Sequence, residues 1–257
     1  MVDLHEVQLV AATAARRAGA GVSKAHAART AARARNAWDV GTETQAQAAQ
    51  VIRAHLLRNY PEHAVDGEQQ DAHAASPYRW RIHPLDGAAN FLHGLPQFVV
   101  SLALEAKGQV VVSVVHEPLT GTLYTARQGG GTFRNGKRVQ VSPQKDLETA
   151  MLSVKAPGPD RPELPDFLRR FCTLSQTAAH VRSSGAATLD MAGVAGGWLD
   201  GFFAMDCTRQ DAAAGSLLVR EAGGVVAPLP GSRPDAQEAG LVATTPGILD
   251  ALLRILT

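Results

Sequence analysis

Trp80-Arg81-Ile82-His83-Pro84-Leu85-Asp86-Gly87-Ala88-Ala89-Asn90-Phe91-Leu92-His93-Gly94-Leu95-Pro96 is the stretch on which the reading of this chain turns. It opens a region, residues 80–145, that is rich in strand-length apolar runs: 98–104, 110–115 and 122–125, then a pair joined by the two-residue turn Asn135-Gly136. Upstream, the pattern is helical. Asp3 followed three residues later by Glu6 makes a helix start, and Val7, Val10, Ala11 and Ala14 recur at helical spacing toward Gly19. From Thr44 a second helix is predicted by Ala48, Val51, Ile52 and Leu56, with Pro61 beyond its end. This half reads as α+β: helices packed on an antiparallel or mixed sheet.

Downstream, Ala156-Pro157-Gly158-Pro159-Asp160-Arg161-Pro162 reads as a loop or hinge. It sets an expected domain boundary near 145–161, with an N-terminal α+β domain at 1–145 and a C-terminal α/β domain at 146–257. In the second half helix and strand alternate. Helices are expected at 165–174, 186–196, 211–222 (ending at Gly223-Gly224) and 248–256, and strands at 200–205, 225–227 and 241–244.

The composition excludes several classes. With 45% hydrophobic and 19% charged residues and a formal net charge of +1, the chain has an ordinary globular profile without a charge-driven case for nucleic acid. Arg16, Arg17, Lys24, Arg29, Arg33 and Arg35 cluster in an Ala-rich stretch, but without aromatic interleaving they read as a helical surface. No apolar run approaches the roughly 20 residues needed to cross a bilayer. The acidic start Met1-Val2-Asp3-Leu4-His5-Glu6 is unlike a secretory signal, so a cytoplasmic location is expected. Cys172 and Cys207 lie outside any metal-ligand spacing and read as reduced thiols.

The opening stretch resembles the first signature of the inositol monophosphatase family, W-x-I-D-P-x-D-G-T-x-N-F-x-H-x-x-P. Gln210-Asp211-Ala212-Ala213-Ala214-Gly215, followed by Glu221-Ala222-Gly223-Gly224, resembles the second, W-D-x-A-A-G…E-A-G-G. Gly67-Glu68, residues 121–142 and Arg182-Ser183-Ser184-Gly185-Ala186-Ala187 are similar to further family segments, so the resemblance runs in order over roughly residues 39 to 245. It implies the layered αβαβα sandwich of the metal-dependent sugar phosphatases. It also implies a carboxylate cage for Mg²⁺ ions, one polarising the phosphate and another generating the hydroxide nucleophile. Residue by residue, it implies metal ligation by Glu68, Asp86, Asp211 and the main-chain carbonyl of Leu85, catalysis at Glu68, Asp86 and the position of Ala88, phosphate binding by the amides of Gly87, Ala88 and Ala89, and substrate contacts at Gly185, Ala186 and Ala204. The plainer readings stay open: Asp211 as a helix cap and Glu68 as a solvated loop acid.

The departures from the family pattern concentrate in one pocket. His83 stands where the family has a bridging aspartate, and an imidazole offers one nitrogen to one metal and no negative charge. Ala88 replaces the threonine that positions the attacking water, Gln45 an aspartate, Gln69 a glutamate, Ala204 a substrate-contacting glutamate and Gln210 a tryptophan. The structural glycines Gly87, Gly185, Gly215, Gly223 and Gly224 are kept. Two functions are therefore expected side by side. One is a weak or repurposed phosphomonoesterase acting on a small sugar or polyol phosphate with Mg²⁺, Mn²⁺ or Zn²⁺, with His83 as ligand or acid. The other is a non-catalytic scaffold, without metal, that binds a protein partner or a phosphorylated ligand. Family resemblance implies a homodimer, and a link of some bacterial members to RNA metabolism and transcription. For His83 a third possibility is an inert ring hydrogen-bonded to Glu68 or Asp86.

Overall fold

A computed structural model of the chain describes residues 2–32, 37–66, 75–158, 160–232 and 238–257. Two helices come first, α1 (Leu4–Ala32) and α2 (Ala37–Asn59), followed by β1 (Ala64–Val65), β2 (Tyr78–Asp86) and the short α3 (Ala88–His93). A meander then runs through β3 (Val99–Ala106), β4 (Gln109–Glu117), β5 (Thr122–Arg127), β6 (Gly131–Arg134) and β7 (Lys137–Val139). The remainder is β8 (Met151–Lys155), α4 (Leu164–Thr177), β9 (His180–Arg182), α5 (Ala187–Ala195), β10 (Gly201–Thr208), α6 (Arg209–Glu221), β11 (Val225–Pro228), β12 (Glu238–Thr244) and α7 (Leu249–Leu256).

Strands β1 to β7 form one seven-stranded sheet in sequence order, antiparallel except for the parallel pair β1–β2. The second sheet has the order β11-β12-β10-β8-β9, parallel across β10–β8–β9 and antiparallel elsewhere. Alternation along the strands divides the apolar residues among three cores. Val100, Leu102 and Leu104 of β3 face α1 and α2, together with Ala11, Ala14, Ile52 and Leu56. Val99 and Ala103 face the other way, onto α5 and α6, and meet Phe202, Ala204, Leu241 and Ala243 of the second sheet. Phe203 and Val242 turn outward again, onto Phe167 and Leu174 of α4 and Leu252 and Leu256 of α7. The result is the five-layer αβαβα sandwich that the resemblance implied, with α5 and α6 as the filling. Ser113 and Thr132, buried on the inner face of the first sheet, donate to the carbonyls of Ala214 (2.8 Å) and Leu218 (2.7 Å) in α6, which satisfies their hydroxyls.

Several expectations need correction. Gly19 does not end the first helix, which continues to Ala32. A Cβ at Gly19 would lie 2.6 Å from the His116 ring, so this glycine permits the helix to approach β4. Asp3 does cap α1, accepting from the His5 amide at 2.8 Å. The second helix starts at Ala37, a full two turns before Thr44. Strands β8 and β9 were missed. Asn135-Gly136 makes the expected turn, with φ of 50° and 77°, the all-positive pair that a two-residue hairpin of this twist requires.

Candidate functional site

The site begins with an irregularity in β2. His83 pairs with Ser101 and Asp86 with Val99, so three steps along β2 oppose two along β3: one residue is extra. In a regular strand, residues three apart point to opposite faces. The bulge at Pro84-Leu85 puts His83 and Asp86 on the same inner face, and a proline without an N–H fits a position that leaves the ladder. Gly87 then turns the chain with φ 87°. A Cβ there would sit 2.5 Å from the Gln97 carbonyl, so no other residue fits without displacing backbone.

Three helix starts meet at this turn. The Asp86 carboxylate accepts the Thr188 amide at 2.7 Å in the first turn of α5, where the helix dipole favours a negative charge. Asp211 closes a capping box on α6: its amide donates to Thr208 Oγ1 at 3.1 Å and its Oδ2 accepts from the Thr208 amide at 3.4 Å. The cap reading of Asp211 is thus realised. α3 starts with Ala88, half-buried, and Ala89, exposed, whose amides have no intrahelical acceptor at this end.

His83, Asp86 and Asp211 converge so that one ligand atom of each lies within 4.8 Å of the others. His83 Nδ1 is 3.1 Å from Asp211 Oδ1, an ion-pair distance whose alignment falls short of a hydrogen bond. The partner of the histidine is therefore Asp211, not Asp86. Lys155, at the end of β8, places Nζ 3.1 Å from Asp211 Oδ2 and donates to the Asp206 carbonyl at 2.7 Å. Burial opposes a charge on His83, but the contact with Asp211 and the negative field of Asp86 and Asp211 outweigh it and hold the imidazole pKa above its ordinary value. Burial alone would raise the Asp211 carboxyl. The facing His83 and Lys155 outweigh that and hold it well below the usual carboxylate range.

The other sequence expectations fall into place unevenly. Glu68 and Gln69 lie outside the described residues. The Leu85 side chain is buried in the outer core beside the bulge. Gly185 adopts φ 79° and packs on Asn90, whose amide group donates to the carbonyls of Gln97 and Ser184, both at 2.7 Å. Ala186 is buried against the Gly87 turn. Ala204 is fully buried in the middle core, in register with Lys155 of β8. Gln45 and Gln210 line a neighbouring cavity of about 660 Å³ with Arg53, Asp66 and Pro84. Lys155 carries no site expectation in the sequence, where it only flanks the Pro-rich loop 156–162. Its signal was position: a cation at the carboxyl end of a parallel strand, where α/β sheets present their ligand groups.

Fold and cleft together define the metal-dependent sugar-phosphatase sandwich, and the comparisons agree. The Inositol monophosphatase family model matches residues 3–256, and the chain belongs to that family. It is 39% identical over 225 residues to the Nus factor SuhB of Pseudomonas aeruginosa, covering 85% of this chain and 83% of the relative. It is 36% identical over 220 residues to the inositol-1-monophosphatase of Rhizobium meliloti, with 85% and 83% covered. Among solved structures, the extragenic suppressor protein SuhB from Bartonella henselae superposes with a TM-score of 0.86 at 30% identity, covering 98% of this chain and 99% of that one. The inositol monophosphatase from Anabaena (Nostoc) superposes with 0.87 at 30% identity, covering 99% and 96%.

The family is metal-dependent and binds phosphorylated substrates, and the cleft does gather three groups able to hold an ion. Among the described residues an imidazole, His83, stands beside these carboxylates, Asp86 Oδ2 accepts an amide, and both Asp211 oxygens already face cationic groups of the protein, so neither carboxylate has both oxygens open to bridge two Mg²⁺ ions. Among the described residues no helix is long and apolar enough to cross a membrane.

Proposed function

We propose that the chain binds a small sugar or polyol phosphate in the His83–Asp86–Asp211 cleft and hydrolyses it weakly. The observation that carries this reading is the pairing of both Asp211 carboxylate oxygens with His83 and Lys155 inside an otherwise retained phosphatase cleft. Substrate binding is supported by the surviving backbone: the Gly87 turn, the open amides of Ala88 and Ala89, and the Gly185-Ala186 loop packed beside them. Slow turnover is supported by what the side chains lack. Ala88 carries no hydroxyl to orient a water, so the general-base contact at the nucleophile is missing. His83 is the remaining group suited to protonating a leaving oxygen, since its neighbours favour the imidazolium. Initial rates on a panel of sugar, polyol and nucleotide phosphates, with Mg²⁺, Mn²⁺ and Zn²⁺ in turn, test the proposal. The expected result is measurable release of phosphate that stops on His83→Ala, at rates far below those of the Rhizobium relative assayed beside it. Equal rates for the two proteins contradict it.

A second reading, action through a protein partner without catalysis, draws on relatives called Nus factor SuhB, which match this chain at 31–39% identity. It requires that no phosphomonoester in the panel be turned over above background by a chain shown to be folded. Homodimerisation and a cytoplasmic location belong to the same proposal, and light scattering after size exclusion checks the first.

A further inference from the structure

Lys155 is an unusual lysine. Its side chain is 31% exposed, it sits on a strand paired on both sides, and its ammonium is held by a carboxylate oxygen and a backbone carbonyl. A lysine ammonium drawn partly out of solvent needs compensating negative charge. Here the partner is the carboxylate around which the cleft is built, and Asp206 Oδ1 lies on the other side at 3.7 Å. The room for this arrangement comes from two local features. Ala204, the register partner of Lys155 on β10, carries only a methyl group, and a bulge between Ala204 and Cys207 shifts the following residues of β10 by one.

We propose that Lys155 is a built-in counter-ion: its ammonium takes, on the Asp211 carboxylate, the place of a divalent cation, so that the native chain keeps its acidic cleft assembled without bound metal. The proposal rests on the reading that this cleft corresponds to the family's metal site, and not on whether the chain turns substrate over. The physical reasoning is direct. Asp86 and Asp211 are both buried, and two buried carboxylates side by side need compensating positive charge. A metal ion is one source. A lysine on a rigid strand is another, and it cannot be removed by a chelator. The two are mutually exclusive at Asp211 Oδ2, because an ammonium 3.1 Å from that oxygen repels an incoming dication and blocks its approach.

The test is ion binding to the purified full chain, read by calorimetry with Mg²⁺ and Mn²⁺ and by Mn²⁺ electron paramagnetic resonance, with no activity assay involved. For the native chain and Lys155→Arg the expected result is no binding below the millimolar range and an unfolding temperature indifferent to chelator. Lys155→Met, and independently the polar Lys155→Gln, should bind Mn²⁺ at least about tenfold more tightly than the native chain, since each removes one full charge beside the site. That gain should vanish when Asp211→Asn is added. Micromolar binding by the native chain overturns the proposal, as does a Lys155→Gln chain that binds no more tightly than native. Gained binding that survives Asp211→Asn overturns instead the assignment of the cleft as the ion site, which separates the two failures.

Discussion

At the scale of single residues, burial decides which charges the molecule tolerates, and Asp190 is the clearest case. It lies in α5 below the cleft, hydrogen-bonded to Ser153 and Ser184, and burial pushes its carboxyl from 3.8 up to about 6. Between those two values the folded state holds a proton that the unfolded state has released, so stability is fully present below pH ~4 and falls as the pH rises toward ~6. A shift of about two units corresponds to roughly 3 kcal/mol. Asp190→Asn should remove most of that fall, leaving the variant more stable than the native chain at pH 7.5 and similar to it at pH 4, as measured by urea denaturation at both pH values. None of this was legible in the sequence, where Asp190 is one acid in a helical pattern. Its environment is supplied by Ser184, in the loop just before α5, and by Ser153, which is distant along the chain. Lys155 escaped for the same reason: a cation at the edge of a Pro-rich loop has no meaning until β8 is laid beside β10. His83, Asp86 and Asp211 were legible because their neighbours form contiguous motifs.

At the scale of elements, helix starts and strand bulges aim the site. The Thr208–Asp211 capping box fixes both the first turn of α6 and the direction of the Asp211 carboxylate. Thr208→Ala should cost about 1 kcal/mol of stability, the usual worth of a Thr cap, seen as a lower urea midpoint with an unchanged slope. The positions of strands β3 to β5 and of the Asn135-Gly136 hairpin followed from alternation and turn chemistry, which are local. The bulge in β2 did not, since a strand reads the same with or without an extra residue until its partner is in register. The true length of α1 was hidden as well. Gly19 looks like a helix stop, yet packing on the first sheet overrides the modest helix penalty of glycine.

At the scale of the whole molecule, five layers hold the cleft where the ends of β2, β8, α5 and α6 meet, and the family resemblance gave that architecture before any element was placed. What it could not give is how this chain balances the charge of the cleft once the bridging aspartate is a histidine. We propose that three positions act as a unit: His83 in place of a bridging charge, Ala88 without a water-positioning hydroxyl, and Lys155 paired with Asp211. The most direct measurement is the Mg²⁺-dependent rate of hydrolysis of an inositol monophosphate by four proteins at saturating ion: the native chain, His83→Asp/Ala88→Thr, Lys155→Gly, and the triple variant. A single base or oriented-donor contact is worth about 10²–10⁴ in rate, and groups that act as a unit are non-additive. The triple variant should therefore exceed the native rate by at least about 10²-fold, with the double variant and Lys155→Gly each gaining far less. A native chain that already hydrolyses the substrate as fast as the triple variant would contradict the account and make His83 and Lys155 parts of a working active site.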